Sequence, residues 1–491
     1  MDFLDTRKQQ RTSYMLFLGY SLVTIAIAIA TTILLYQAYG FGIGKNGTVI
    51  QDGLAFFSSQ PNPVNIYLNG VRNPNQTNAR LELPEGIYNV KLTLNGYRSW
   101  QHTIELTGGK VEHFDYPLLI PSKLTSKRLQ TYSARPNMVT QSPDRRWMLV
   151  QAPGSMTAFD VFDLNNPTKA PTDISLPANL ISKATGSEVW QLVEWADDNQ
   201  HILLAHNYDG KTEYVLVDRS NPTQSVNLTN NLSLPVSTTK LTLDNKKYDR
   251  YYLYSASTGD LQTLSLSSAN PVTVVQHVLA YETYGSNTVL YITDKGAPHG
   301  KVLIRLNDGD TTYTLHSLVS GTNYLVDLTQ YSGTLYVAAG ASSENKVYIY
   351  KDPIGQLNEQ PHQAVAPSQV LHVIAPDYVS FSTNAQFIMT ENGTQFGVYD
   401  IENEKGYNYI LKMPLDAPQQ HASWMDGDRL VYVSGGKLVM VDYDGTNPQT
   451  LIPADSDFIP AFDPNYHYVY TLSLPASTNQ SFVYQTSLLT S

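Results

Sequence analysis

The 491-residue chain contains no cysteine. That excludes disulfides, thiolate zinc sites, Fe–S clusters and cysteine nucleophiles. Charge is scarce too: only 15% of residues are Asp, Glu, Lys or Arg, with 43 acidic against 32 basic and a net charge of −11. No basic cluster occurs outside the first eleven residues. Phosphate contacts need Lys and Arg, so no nucleic-acid partner is expected. After Tyr39 no segment has the length and periodicity of a long amphipathic helix.

Motifs that carry chemistry are missing or isolated. There is no H-E-x-x-H, no His pair at helical spacing and no G-x-S-x-G. Gly42-Ile43-Gly44-Lys45-Asn46-Gly47 matches G-x-G-x-x-G. A dinucleotide site needs a strand before that motif and a helix after it. Here it follows an apolar span and precedes a β pattern, and reads as a flexible linker. Ser343-Glu344-Asn345-Lys346 matches S-x-x-K without the partner motifs of acyl-transfer enzymes. Asp442-x-Asp444-Gly445 starts like a calcium loop but lacks the closing Glu. The pairs Asp197-Asp198 and Asp426/Asp428 fall in polar turns. No catalytic, cofactor-binding or metal-ligating residue is nominated, and no cofactor is expected.

One long apolar run is present. Met15 to Tyr36 holds 22 uncharged residues. As a helix it spans about 33 Å, close to a bilayer core of roughly 30 Å. Tyr14, Tyr36 and Tyr39 stand at its ends, where amphipathic rings favour the membrane interface. Arg7, Lys8 and Arg11 precede it and Lys45 alone follows closely. The positive-inside bias puts residues 1–13 in the cytoplasm, residues 14–39 in the lipid bilayer, and the rest outside a cell membrane crossed once. The competing reading is a cleaved signal peptide, because Ala28-Ile29-Ala30 resembles a cleavage site. The run continues six residues beyond it and exceeds the roughly 7–15 of a signal core.

After a linker at 40–49, residues 50–120 alternate with period two. Turn signals at Asn69-Gly70, Pro84-Glu85-Gly86, Asn95-Gly96 and Gly108-Gly109 separate the strands. This pattern predicts a small antiparallel β-sandwich. The order of residues resembles a PEGA domain. Ser59-x-Pro61 comes first, then Val64-x-Ile66-Tyr67-Leu68-Asn69-Gly70. Leu83-Pro84-Glu85-Gly86-Ile87-Tyr88-x-Val90 and Gly96-Tyr97-Arg98-x-Trp100 follow. The resemblance implies a non-catalytic envelope module in which Pro61, Asn69, Gly70, Pro84, Glu85, Gly86, Tyr88, Gly96, Tyr97 and Trp100 are structural. Residues 72–77 depart from the family pattern and suggest a longer loop.

Residues 124–491 repeat. Paired short strands begin at 147, 201, 251, 288, 334, 387, 429 and 467, a mean spacing of about 46 residues. Periods of about 40–50 with several short strands indicate propeller blades, here eight, or seven because the third unit is short. The units resemble TolB-like and WD40-like repeats at Ser142-Pro143-Asp144, Phe381-Ser382-Thr383-Asn384 and Phe462-Asp463-Pro464-Asn465. The last unit is one strand short, and residues 127–132 are expected to supply it. The fold class is therefore all-β behind one transmembrane helix.

Function is expected to be binding. The membrane-anchored chain would present a propeller and PEGA-like module to an envelope protein or glycan. A structural scaffold of a surface layer or secretion machine is one alternative. An extracytoplasmic enzyme at the propeller mouth is another, and a cluster of Asp, Glu or His with shifted pKa there would favour it.

Overall fold

The computed structural model describes every residue except 1–5, 39, 44–48, 237–238, 361–362, 418–419, 476–477 and 490–491. The chain divides into two compact units, Met1–Lys123 and Leu124–Ser491.

The first unit opens with one helix, Thr6–Ala38. Its apolar span, Ser13–Tyr36, has a mean hydropathy of 2.1 and none of it is buried. The polar side chains Thr24 and Thr32 donate their hydroxyls to the carbonyls of Tyr20 and Ala28, at 2.9 and 2.8 Å. Such internal satisfaction is what hydrocarbon demands of a hydroxyl.

The β domain holds two four-stranded sheets. In one, Val71–Gln76, Asn65–Leu68, Gly86–Thr93 and Trp100–Leu106 pair antiparallel in that order. In the other, Val49–Phe57 pairs antiparallel with Ala79–Pro84 and parallel with Val111–Phe114. The sandwich is thus mixed, which corrects the purely antiparallel expectation. A parallel partner at 111–114 needs a long crossover, and that sequence separation hides it from local pattern. Ala55, Phe57, Ile66, Leu81, Val90 and Trp100 of the two sheets form one buried core.

Two further expectations change. Part of the expected linker is a strand: Phe41–Ile43 pairs with Gln51, Ile50 and Val49. Residues 44–47, the rest of the glycine motif, lie outside the described residues. The stretch after Gly70 is no irregular loop but the edge strand Val71–Gln76. Asn69 and Gly70 both have positive φ, 50° and 80°, and make the two-residue turn that joins Leu68 to Val71.

In the second unit, eight four-stranded antiparallel sheets follow one another among the described residues. Seven are meanders, at 139–175, 188–227, 239–275, 278–319, 324–372, 378–410 and 423–453. The eighth takes three strands from 461–487 and its outermost strand, Thr125–Tyr132, from the start of the unit. Thr125 faces Ser487 and Tyr132 faces Ser481. The closure expected from the sequence is the one observed. The architecture is a β-propeller.

Middle strands such as Phe387–Glu391 are buried along their whole length. Both faces are covered because each sheet stacks on two neighbours. Leu149 and Phe159 of the first sheet share a core with Trp190 and Leu204 of the second. Leu290 and Ile304 of the fourth share one with Val337 and Tyr350 of the fifth. Val150 and Phe162 of the first meet Tyr470 and Val483 of the eighth, which seals the ring.

The repeat motifs build one kind of turn. The side chains of Ser142, Ser382 and Asp463 accept the backbone N–H five residues on, from Trp147, Phe387 and Tyr468, at 2.9, 3.0 and 2.6 Å. The third residue after each, Arg145, Ala385 and Tyr466, has a φ of 60°, 61° and 56°.

Candidate functional site

First strands of neighbouring sheets touch at three places, Glu188–Trp195 with Thr239–Asp244, Val278–Tyr284 with Tyr324–Tyr331, and Tyr324–Tyr331 with Tyr378–Phe381, which puts these strands on the inner side of the ring. Four of them, Glu188–Trp195, Thr239–Asp244, Val278–Tyr284 and Tyr324–Tyr331, carry charge among apolar residues, and a fifth, Tyr378–Phe381, directly follows Asp377. A strand with one face toward a channel keeps period two, whereas middle strands are apolar throughout.

A cavity of about 910 Å³ opens among the first three of these strands, with Gln191, Glu194, Lys240, Lys246, Tyr281 and Glu282 in its wall. A second, of about 500 Å³, shares Lys240, Tyr281 and Glu282 and continues past Tyr324, Asp327, Asp377 and Tyr378. The two spaces adjoin at these shared residues and together make up the channel of the inner strands.

Its electrostatics are unusual. Glu194 is held by the backbone N–H of Leu243 and the ammonium of Lys246. Glu282 is open to water yet encircled by protein. That encirclement lifts its pKa above the usual range, against the Thr283 N–H and the Lys246 and Lys240 charges. Asp327 is pushed up to about 7, by burial first and by Glu282 second. It reaches that value although it accepts the N–H groups of Leu328 and Phe381, at 2.8 and 2.9 Å. Burial also raises Asp377, which His421 opposes and Glu391 reinforces. The His421 ring stacks on Tyr378 with centroids 4.2 Å apart, and its Nδ1 lies 3.2 Å from Glu391. Among the described residues no three His, Asp or Glu stand close enough together to hold a metal ion. A cluster of carboxyls with shifted pKa therefore does line the axis, with no metal-ligand set.

None of the sequence-nominated residues lies in this channel. Arg7, Lys8 and Arg11 are in the N-terminal helix, and Tyr14 and Tyr36 are exposed at the ends of its apolar span. Tyr39 lies outside the described residues. The PEGA-like residues gather in the turns and core of the sandwich. The Pro61 carbonyl accepts the Ser59 hydroxyl at 2.7 Å. Asn69 Oδ1 accepts the Asn89 N–H at 2.8 Å, beside Gly70. The Pro84 carbonyl accepts the Tyr88 hydroxyl at 2.7 Å, and Glu85 accepts the Gly108 N–H at 3.2 Å. Gly86 opens a strand, and the Gly96 carbonyl accepts the Ser122 N–H at 2.8 Å. Tyr97 packs on the core and Trp100 is buried in it.

The isolated motifs are turns. Glu344, inside the S-x-x-K match, accepts the Tyr348 hydroxyl at 3.0 Å and the Val319 N–H. Asp444 accepts the Thr446 N–H and hydroxyl, and Asp442 accepts the Asn447 amide. Asp198 and Asp426 each accept N–H groups two and three residues ahead.

Glu282, Asp327, Lys240 and Tyr378 match no motif and stand in half-polar strands, so no local spacing nominates them. A signal exists: Glu194, Glu282 and Asp327 lie seven, six and seven residues before the apolar strands that begin at 201, 288 and 334.

The fold and channel define a propeller protein with a second β module before it. Residues 55–120 match the PEGA domain family, so the chain joins a PEGA domain to a β-propeller. Solved structures similar to it include the Dos1 propeller, at 13% identity and a TM-score of 0.46 over 74% of this chain and 96% of that one. Another is the oligogalacturonate lyase of Vibrio parahaemolyticus, at 11% identity and a TM-score of 0.39 over 75% and 99%. These are likenesses of fold and carry no function across. The curated proteins contain no match to the chain.

Proposed function

We propose that this is a membrane-anchored protein with both β modules outside the cell, and that the propeller channel is a non-catalytic binding site for a protein or envelope glycan. The channel is the observation that carries the reading. It joins tyrosine faces, ammonium groups and carboxyls in a space of ligand size. The apolar helix and the cationic residues before it support the anchor and its direction.

The test is photocrosslinking in cells. A photoreactive residue in place of Tyr284, in the channel wall, should capture a distinct partner that the same residue at exposed Val272 does not. Equal capture at both positions, or none at Tyr284, refutes a binding channel.

A second reading has one observation in its favour. Glu282 and Asp327 are neighbouring carboxyls, and one of them holds its proton toward neutral pH. Such pairs divide acid and base roles in enzymes. Turnover of an oligosaccharide that Glu282→Gln abolishes, with binding retained, would establish this reading over the first.

A further inference from the structure

We propose that the smaller part of the channel recognises an organic ammonium group, carried on a free aliphatic amine or on a lysine side chain of a partner. The inference rests on reading the channel as a binding site and specifies its ligand.

Four tyrosines stand in the wall of this 500 Å³ space. Tyr254, Tyr281, Tyr324 and Tyr378 come to it from three successive inner strands and one middle strand. The Tyr254 and Tyr281 rings meet with centroids 5.3 Å apart. Aromatic faces attract cations through the ring quadrupole, and most of all where water is excluded. The chain already shows this preference, because the Lys240 ammonium stands 5.9 Å from the centroid of Tyr281.

Charge points the same way. Glu282, Asp327 and Asp377 line the space, against Lys240 alone among the lysines and arginines there. Lys246, at the edge of the larger cavity, is taken by Glu194. His421 stands 4.0 Å from Asp377 and closer to Glu391. Two backbone N–H groups on Asp327 would ordinarily keep it ionised. They are outweighed by burial and by Glu282, while Lys246 offsets little. With three carboxyls against one ammonium in its wall, the space has room for a further positive charge that a ligand can bring.

A metal ion fits poorly. No metal-ligating trio occurs among the described residues, and a hard divalent ion wants six or more oxygens. An ammonium ion uses three hydrogen bonds and tolerates ring faces for the rest.

Calorimetry on the full chain in detergent micelles tests this, with spermidine, Nα-acetyl-lysine amide and N-acetylglucosamine as probes. Saturable binding of an amine at pH 8 is expected, with none of the sugar. Affinity should fall about tenfold by pH 5.5, as Asp327 takes up its proton beside Glu282, Lys246 and Tyr378. Glu282→Gln and Asp327→Asn should each weaken binding about tenfold or more, with the melting curve unchanged for at least one of them. Preference for spermidine assigns a free amine, and preference for the lysine derivative assigns a partner's side chain. No saturable amine binding by the folded protein overturns the proposal. So does binding that neither variant weakens, or sugar binding in place of amine. If amines fail while Tyr284 still captures a partner, the channel binds something else; if both fail, the channel reading falls as well.

Discussion

Single side chains tie this propeller together where its loops cross. Glu213 is buried and accepts four hydrogen bonds: from the Ser182 N–H and hydroxyl at 2.7 and 2.9 Å, from Asn227 at 2.9 Å and from His206 Nδ1 at 2.8 Å. Burial pushes its pKa up, but those donors more than offset it and hold the carboxyl below its usual range. Glu213→Gln removes the charge and turns an amide toward donors. The variant should lose about 2–4 kcal/mol in a denaturant titration at pH 7. A depressed carboxyl stabilises above its unfolded pKa and ceases to do so as pH falls through its folded pKa. The gap between wild type and variant should therefore narrow as the solution is acidified below pH 4. None of this was legible in the sequence, where Glu213 is one acid in a hairpin and its partners lie up to 31 residues away.

At the scale of elements, the strand Thr125–Tyr132 is decisive. It covers the edge that Ser481–Ser487 would otherwise present to another chain. Tyr132 also donates to Asp160 of the first sheet at 2.5 Å, so the clasp bonds to both sheets that it joins. Ser126 and Thr486 face each other across the clasp with their hydroxyl oxygens 2.7 Å apart. In a chain without cysteine, Ser126→Cys with Thr486→Cys should oxidise to a single disulfide. It should appear as a mobility shift on a non-reducing gel and raise the melting temperature, since a closed loop of hundreds of residues is worth roughly 2–5 kcal/mol. Failure to form under oxidising conditions would contradict the closure. This element was legible because the final unit lacked one strand and a spare one preceded the first. The strand Val111–Phe114 was not, since parallel pairing leaves no hairpin in the sequence.

For the molecule as a whole, the proposed anchor predicts the side of a membrane on which each part of the chain is found. The absence of cysteine makes the measurement clean. A cysteine in place of Val272, exposed on the propeller, should react with a membrane-impermeant maleimide in intact cells, and one in place of Gln9 should react only after lysis. Mass spectrometry of the membrane fraction should find residues 1–38 attached. Loss of about thirty residues would show that the helix is a signal peptide instead.

The sequence alone determined the apolar helix, the PEGA-like turns and the repeat, because each is written in neighbouring residues. An uncharged run, an Asn-Gly between alternating strands and a recurring apolar strand need no distant partner to be read. Tertiary structure alone decided the channel. Glu282 and Asp327 stand on the inner strands of neighbouring sheets, and only the stacking of those sheets brings their charges together in a space lined by both. That placement shifts their protonation, and no local pattern of residues records it.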